Sequence, residues 1–194
     1  MAGELDYSLP PAVRRIARSF FWTGWISFWV QIVLAVVSSL LLLFAIPGIK
    51  FDSANENSPG TWPGLSFAIC GLLAVFFGAY WAFRYTRLAK QLRSGNTAYR
   101  PKPKDAIQAL KIGLIASLIG MFLTLMGAGA IVGALIFKAF EQPAQGANIL
   151  NPTIRLPSIT SFDLFIVQSN TNTSIAHFVA IVSSLWLFRM VNRQ

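Results

Sequence analysis

Four long apolar runs, separated by polar stretches rich in Gly, Pro and Asn, set the rhythm of this chain. The apolar residues fall in blocks, not at amphipathic-helix or alternating spacing, which makes lipid the solvent for these segments. Phe20 to Ile46 predicts a first span of about 40 Å at 1.5 Å per residue, against a hydrocarbon core of about 30 Å. Its length far exceeds the roughly 7–15 apolar residues of a signal peptide, so it reads as an uncleaved span. Pro47-Gly48 predicts its stop. Further spans are expected at about 65–83, 112–137 and 171–190.

The stretches between the spans add detail. Val13, Ile16, Ala17 and Phe20 fall at i, i+3, i+4 and i+7, with Arg14, Arg15 and Arg18 elsewhere on the wheel. Residues 1–19 therefore predict a short amphipathic segment at the membrane surface. Asp105 and Gln108 have the spacing of a capping box that opens the third helix. After a Pro/Asn/Gly-rich loop over 142–157, the apolar stretch around Asp163 is too short to cross a bilayer. Residues 159–170 predict an interfacial or re-entrant helix, or an extension of the last span. The expected fold is an all-α polytopic membrane protein with four transmembrane helices. It forms a single domain over 20–190, with a tail at 191–194.

Charge orients these elements. Only 12% of the 194 residues are charged, against about 25% in soluble domains. Half of the 16 basic residues lie between Arg84 and Lys111, in a basic connector over 84–111. Lys and Arg in short loops stay on the cytoplasmic side. With four spans, the N-terminus, this connector and the C-terminus share one face, and they hold all the basic residues except Lys50, Lys138 and Arg155. Both termini are expected in the cytoplasm. A net charge of +9 beside apolar runs points to anionic lipid headgroups on the basic loop, and no nucleic-acid partner is expected.

Small residues mark where helices can approach. Ala74, Gly78 and Ala82 recur every four positions, Gly120 belongs to a stripe with Ala116, Thr124 and Ala128, and Gly129-x-x-x-Gly133 adds another. Such faces pack helices in lipid, within a chain or between copies.

Chemistry is sparse. There is one His, one Cys (Cys70), and no GxSxG, HExxH, P-loop or dinucleotide fingerprint, so neither enzymatic activity nor a cofactor is expected. Asp163, Gln168, Asn170, Asn172 and His177 form a polar cluster in sequence, expected near the outer end of the last span. Asp163 and His177 are candidate ligands for a divalent or ferric ion. The plainer alternative has His177 hydrogen-bonded to a neighbouring helix and Asp163 capping the segment before it. A lone intramembrane His without spaced partners is a weak ligand signal, which favours the alternative.

Two stretches resemble a known family. The opening Leu9-Pro10-x-x-Val13-x-x-Ile16-Ala17-x-x-Phe20-Phe21-x-x-Gly24-Trp25 is similar to the start of a cyanobacterial and plastid family of four-span proteins. Asp163-x-Phe165-x-Val167-Gln168-x-Asn170-x-Asn172-Thr173-x-x-Ala176-His177-Phe178, running on to Ser184-Leu185-Trp186-Leu187, is similar to its closing motif. That family was first catalogued as a domain of unknown function. It includes the small chloroplast inner-envelope Tic subunit, also called permease in chloroplasts. The resemblance implies iron or other metal transport, or protein import, across a membrane. With Glu4 and Asp6 at the N-terminus and a span by residue 20, no plastid transit peptide is evident. A cyanobacterial plasma-membrane or thylakoid protein is therefore expected.

Two functions follow as expectations. One is a transport protein of the permease or translocon-component type. The other is a non-transporting accessory or assembly subunit of a larger translocon or photosynthetic complex. A homo-oligomer would reconcile them. The scarcity of polar groups within the spans favours the second, and the resemblance favours the first.

Overall fold

The computed structural model describes residues 11–53, 61–93, 103–141 and 159–192. They form four helices: α1 (Pro11–Ser53), α2 (Thr61–Leu92), α3 (Pro103–Glu141) and α4 (Ser161–Asn192). All four are long and apolar enough to cross a membrane. They pack as an antiparallel bundle in which each helix touches its neighbours in sequence and α4 closes on α1. α2 and α4 also meet across the diagonal. Ile16 near the start of α1 and Leu187 and Val191 near the end of α4 share one apolar cluster. The two described ends of the chain therefore lie at the same end of the bundle.

The helices outrun the expected spans, because hydropathy marks the lipid boundary and not the end of a helix. Arg84 to Leu92, expected in a loop, are the last turns of α2, and residues 103–111 are the first turns of α3. These turns persist because their inner faces are buried: Tyr85, Leu88 and Ala89 pack on Ala106, Ala109 and Leu110. The expected amphipathic segment is likewise continuous with α1 from Pro11 onward. α1 runs through Pro47 instead of stopping there. A proline removes only one helical N–H, the partner of the Leu43 carbonyl, and membrane helices tolerate this. Asp105 lies within the first turn of α3, where its charge complements the helix dipole. The remaining loop residues, including Arg100 and Lys102 of the basic connector, lie outside the described residues.

Residues 159–170 do not form a separate interfacial or re-entrant helix. From Ser161 they are the first turns of α4, which is unbroken to Asn192. On α4 the exposed apolar band from Leu164 to Trp186 spans about 33 Å, enough for a hydrocarbon core. Thr171–Ser174, at the start of the expected fourth span, are therefore mid-membrane, with Asn172 and Thr173 buried against the other helices.

Seven-residue spacing governs the closest contact. Gly64, Gly71 and Gly78 on α2 face the row Gly113, Gly120 and Gly127 on α3. A Cβ at Gly64 would meet Ile131, at Gly71 Thr124, and at Gly127 the Gly64 carbonyl and Ala68. A Cβ at Gly120 would strike the His177 ring and the Ala74 Cβ. A heptad of small residues suits the shallow left-handed crossing common in membrane bundles. Of the expected packing positions, Gly78, Ala82 and Gly120 are buried and Ala74 is half-buried. Gly129 and Gly133 differ: both are exposed, and neither would bring an added Cβ within 4 Å of anything.

Gly120→Ala should therefore lower the stability of the single chain in detergent by about 1–3 kcal/mol through overpacking. Gly129→Ala, on an exposed helical surface, should be neutral or stabilising by up to about 1 kcal/mol. Thermal unfolding of the two variants checks this, and equal losses at both sites would contradict the assignment of faces.

Candidate functional site

The outer surface of the bundle is apolar, while polar side chains line its axis. Ser27, Gln31 and Ser38 point inward from α1, Ser117 and Thr124 from α3, and Ser169, Asn170, Thr173, His177 and Ser184 from α4. Apolar layers close the column at both ends. Phe20, Leu88, Leu110 and Leu187 lie at the end holding the two termini, and Ala45, Ala68, Ile131 and Ile166 lie at the other. α2 contributes mainly space. Gly71 accommodates Thr124, Gly78 accommodates Gln31, and Gly113 and Gly120 on α3 accommodate Tyr85 and His177.

Most of these groups are paired, as burial in lipid requires. Ser38 Oγ donates to the Ser169 carbonyl at 3.0 Å, and Ser169 Oγ donates back to the Ser38 carbonyl at 2.9 Å. Thr173 Oγ1, which donates to the Ser169 carbonyl at 2.8 Å, lies 3.4 Å from Ser38 Oγ. Asn170 Nδ2 donates across to the Thr124 carbonyl at 3.0 Å. His177 Nε2 faces the Gly71 carbonyl at 3.1 Å. A carbonyl only accepts, so a proton sits on Nε2. Two carbonyl oxygens, Gln31 Oε1 and Asn170 Oδ1, are buried without a partner among the described residues. Leaving such a group unmet costs about 1–3 kcal/mol.

The residues singled out from sequence are dispersed along α4. Asp163 sits in its first turn, where the carboxylate accepts from the Thr160 backbone N–H at 2.8 Å and from Thr160 Oγ1 at 3.0 Å. Lys138 Nζ, in the last turn of α3, lies 3.2 Å away. An acid at the start of one helix and a base at the end of its neighbour complement both helix dipoles. Gln168 is exposed and donates from Nε2 to Asn172 Oδ1 at 3.0 Å, one turn along the same helix. His177 lies 14 positions beyond Asp163, about 21 Å along the axis. These two do not form a common metal site. Among the described residues, no group of three or more His, Cys, Asp and Glu side chains could hold a metal ion.

The column's main members on α1 and α3 were not anticipated. Ser27, Gln31 and Ser38 repeat at intervals of four and seven within an otherwise apolar run. That spacing places them on one helical face, and it is the signal that could have exposed them.

A family profile described as "Protein of unknown function (DUF3611)" matches residues 10–192. The chain belongs to that family. It is 32% identical over 186 residues to "Protein TIC 21, chloroplastic" of Arabidopsis thaliana, an alignment covering 92% of this chain and 58% of that relative. The chain thus spans little more than half of that relative's length. No solved structure matches. The family resemblance read from the two end motifs is borne out. In this DUF3611 chain those motifs have a physical role: Phe20 and Gly24 of the first are buried, and Asn170, Thr173, His177 and Ser184 of the second build the column.

The ion pair at the end of the DUF3611 bundle is open to a direct test. Lys138→Met leaves the Asp163 carboxylate buried without its cation and should destabilise the bundle by about 3–5 kcal/mol. Adding Asp163→Leu should recover much of the loss. A double-mutant cycle by thermal unfolding in detergent measures the coupling, and strictly additive losses would show that the two charges do not interact.

Proposed function

We propose that this protein is a transport component of its membrane, of the permease or translocon-component type, and that the buried polar column handles the cargo. The carrying observation is the pair of unpartnered oxygens, Gln31 Oε1 and Asn170 Oδ1, inside an otherwise well-paired polar axis. A bundle built only to pack would fill these positions with apolar side chains, because polar groups inside a membrane are costly and mark pathways. The column's width, one side chain across, suits a small cation and excludes a polypeptide. Its hydroxyl and amide oxygens suit harder divalent ions better than thiophilic ones. Iron(II) or manganese(II) is the cargo class proposed, with both termini in the cytoplasm. The similarity to the Arabidopsis thaliana protein named TIC 21, chloroplastic, supports the general assignment.

Purified protein in vesicles containing a metal-sensitive dye should admit iron(II) or manganese(II) faster than protein-free vesicles. Gln31→Leu and Asn170→Leu should each slow uptake at least about tenfold, the effect of some 1.4 kcal/mol on a barrier, while remaining folded at the assay temperature. Asn170→Leu also loses the bond to the Thr124 carbonyl and should unfold at a somewhat lower temperature. Wild-type rates in both variants would remove the column from the pathway.

A second reading, an accessory subunit, is favoured by one observation: Gly129 and Gly133 leave a smooth outward face on α3 of the kind that packs against another helix. Vesicles that admit no metal, together with stoichiometric co-purification of other membrane subunits, would establish it over transport. Orientation is tested separately. A fluorescent protein fused after Gln194 should fold and fluoresce, whereas alkaline phosphatase at the same position should be inactive.

A further inference from the structure

A second site lies on the outside of the bundle, on the last turns of α2. There Tyr80, Phe83, Arg84, Arg87, Leu88 and Gln91 line a concavity of about 400 Å³. That falls within the roughly 300–1,000 Å³ of typical small-ligand sites. Tyr80, Arg84, Arg87 and Gln91 follow at intervals of four, three and four, so they form one stripe along the helix. All four are exposed.

The two arginines are held in place by aromatic rings. The Arg84 guanidinium stacks 4.6 Å from the centre of Trp81, and that of Arg87 lies 5.2 Å from the centre of Phe83. Stacking occupies a face of each guanidinium and leaves its N–H edges for an oxyanion. Neither arginine has an ion-pair partner among the described residues. α2 itself carries no Asp or Glu, so nothing on this helix competes for the two forks.

Height decides what reaches them. A Cβ added at Gly24 would lie 3.0 Å from the Ala82 carbonyl and 3.1 Å from the Tyr85 Cβ, so α1 and α2 make close contact at this level. This contact sets the exposed Trp22 and Trp25 of α1 level with Arg84. Exposed Trp side chains occupy the headgroup layer of a bilayer. Below the arginines, Tyr80 and Phe77 face outward, and this apolar surface can be lined by acyl chains.

We propose that this concavity is a binding site for an anionic lipid whose headgroup carries a phosphodiester or other singly charged oxyanion. Arg84 and Arg87 grip the oxyanion through paired N–H donors. Gln91 and the Tyr80 hydroxyl donate to the polar groups around it. The site is separate from the polar column, because its polar lining residues take no part in that axis and only Leu88 reaches the apolar layer that closes it.

The full chain is reconstituted in phosphatidylcholine vesicles containing about one-tenth phosphatidylglycerol, extracted mildly, and its retained lipids counted by native mass spectrometry. At least one phosphatidylglycerol per chain should be retained in preference to phosphatidylcholine. Arg84→Gln with Arg87→Gln should reduce that retention at least about tenfold, as expected for the loss of two charge-assisted forks. Lysine at both positions keeps the charge but not the fork or the stacking, and should still lose retention several-fold. Arg15→Gln with Arg18→Gln, on the exposed surface of α1, should leave retention unchanged. Retention that survives the glutamine pair, or falls equally in the α1 control, overturns the site. Phosphatidylglycerol stripped by excess inorganic phosphate overturns the lipid as its ligand and leaves a phosphate site.

Discussion

The approach of α2 to α3 is the contact on which the rest of the bundle depends. Two rows of glycine, each spaced by seven, face one another along most of that interface. A methyl group at any of these positions would crowd a neighbour: Ile131, Thr124 and Gln31 along α2, and Tyr85, His177 and the backbone at Gly64 and Ala68 along α3. These glycines do two things at once. They bring two backbones close enough for extensive van der Waals contact, and they make the volume into which larger polar side chains of the neighbouring helices project. His177 is the clearest case. Its ring reaches the Gly71 carbonyl because Gly120 presents no side chain in its way.

That volume explains why the interior is polar without being charged. Most of the hydroxyls and amides that enter it meet a backbone carbonyl, as Asn170 meets the Thr124 carbonyl and Ser38 the Ser169 carbonyl. A charged side chain would need a counter-charge in the same narrow space. The structure puts its buried pair, Lys138 and Asp163, at the helix ends, where the dipoles help to support both charges.

Hydropathy blocks were enough to read the four helices and their antiparallel order, because lipid imposes the simplest of all patterning rules. The same blocks misplaced the helix ends. Tyr85, Leu88 and Ala89 remain helical by packing against α3, a tertiary cause that a hydropathy profile does not contain. The run from Gln168 to Ser174 misled for the opposite reason. Seven successive polar residues suggest the outer end of a span, yet in the bundle they lie mid-membrane and Ser169, Asn170, Asn172 and Thr173 turn inward. The glycine rows were visible as letters but were read at the familiar spacing of four. That choice selected Gly129 and Gly133, which face outward, and passed over Gly71, Gly113 and Gly127, which face inward. His177 and Asp163 were both singled out as notable, but one-dimensional proximity suggested a shared site that 14 helical positions forbid.

Lipid also changes what the polar column contributes to cohesion. In water, burial of Leu and Phe side chains would drive the helices together. In a bilayer the tails are as apolar as those side chains, so burying them against one another gains little. The exposed Leu, Ile and Phe residues of α1 and α3 are therefore satisfied where they stand. What holds the helices to one another is close backbone packing, which the glycine rows supply, and hydrogen bonds between helices, which the column supplies. The reciprocal bonds of Ser38 and Ser169 join α1 to α4 just where no glycine row does so. The polar interior is thus a structural requirement for half of the bundle. Only its two unpartnered oxygens, Gln31 Oε1 and Asn170 Oδ1, go beyond what cohesion needs, and it is on them that the proposed transport role of the column rests.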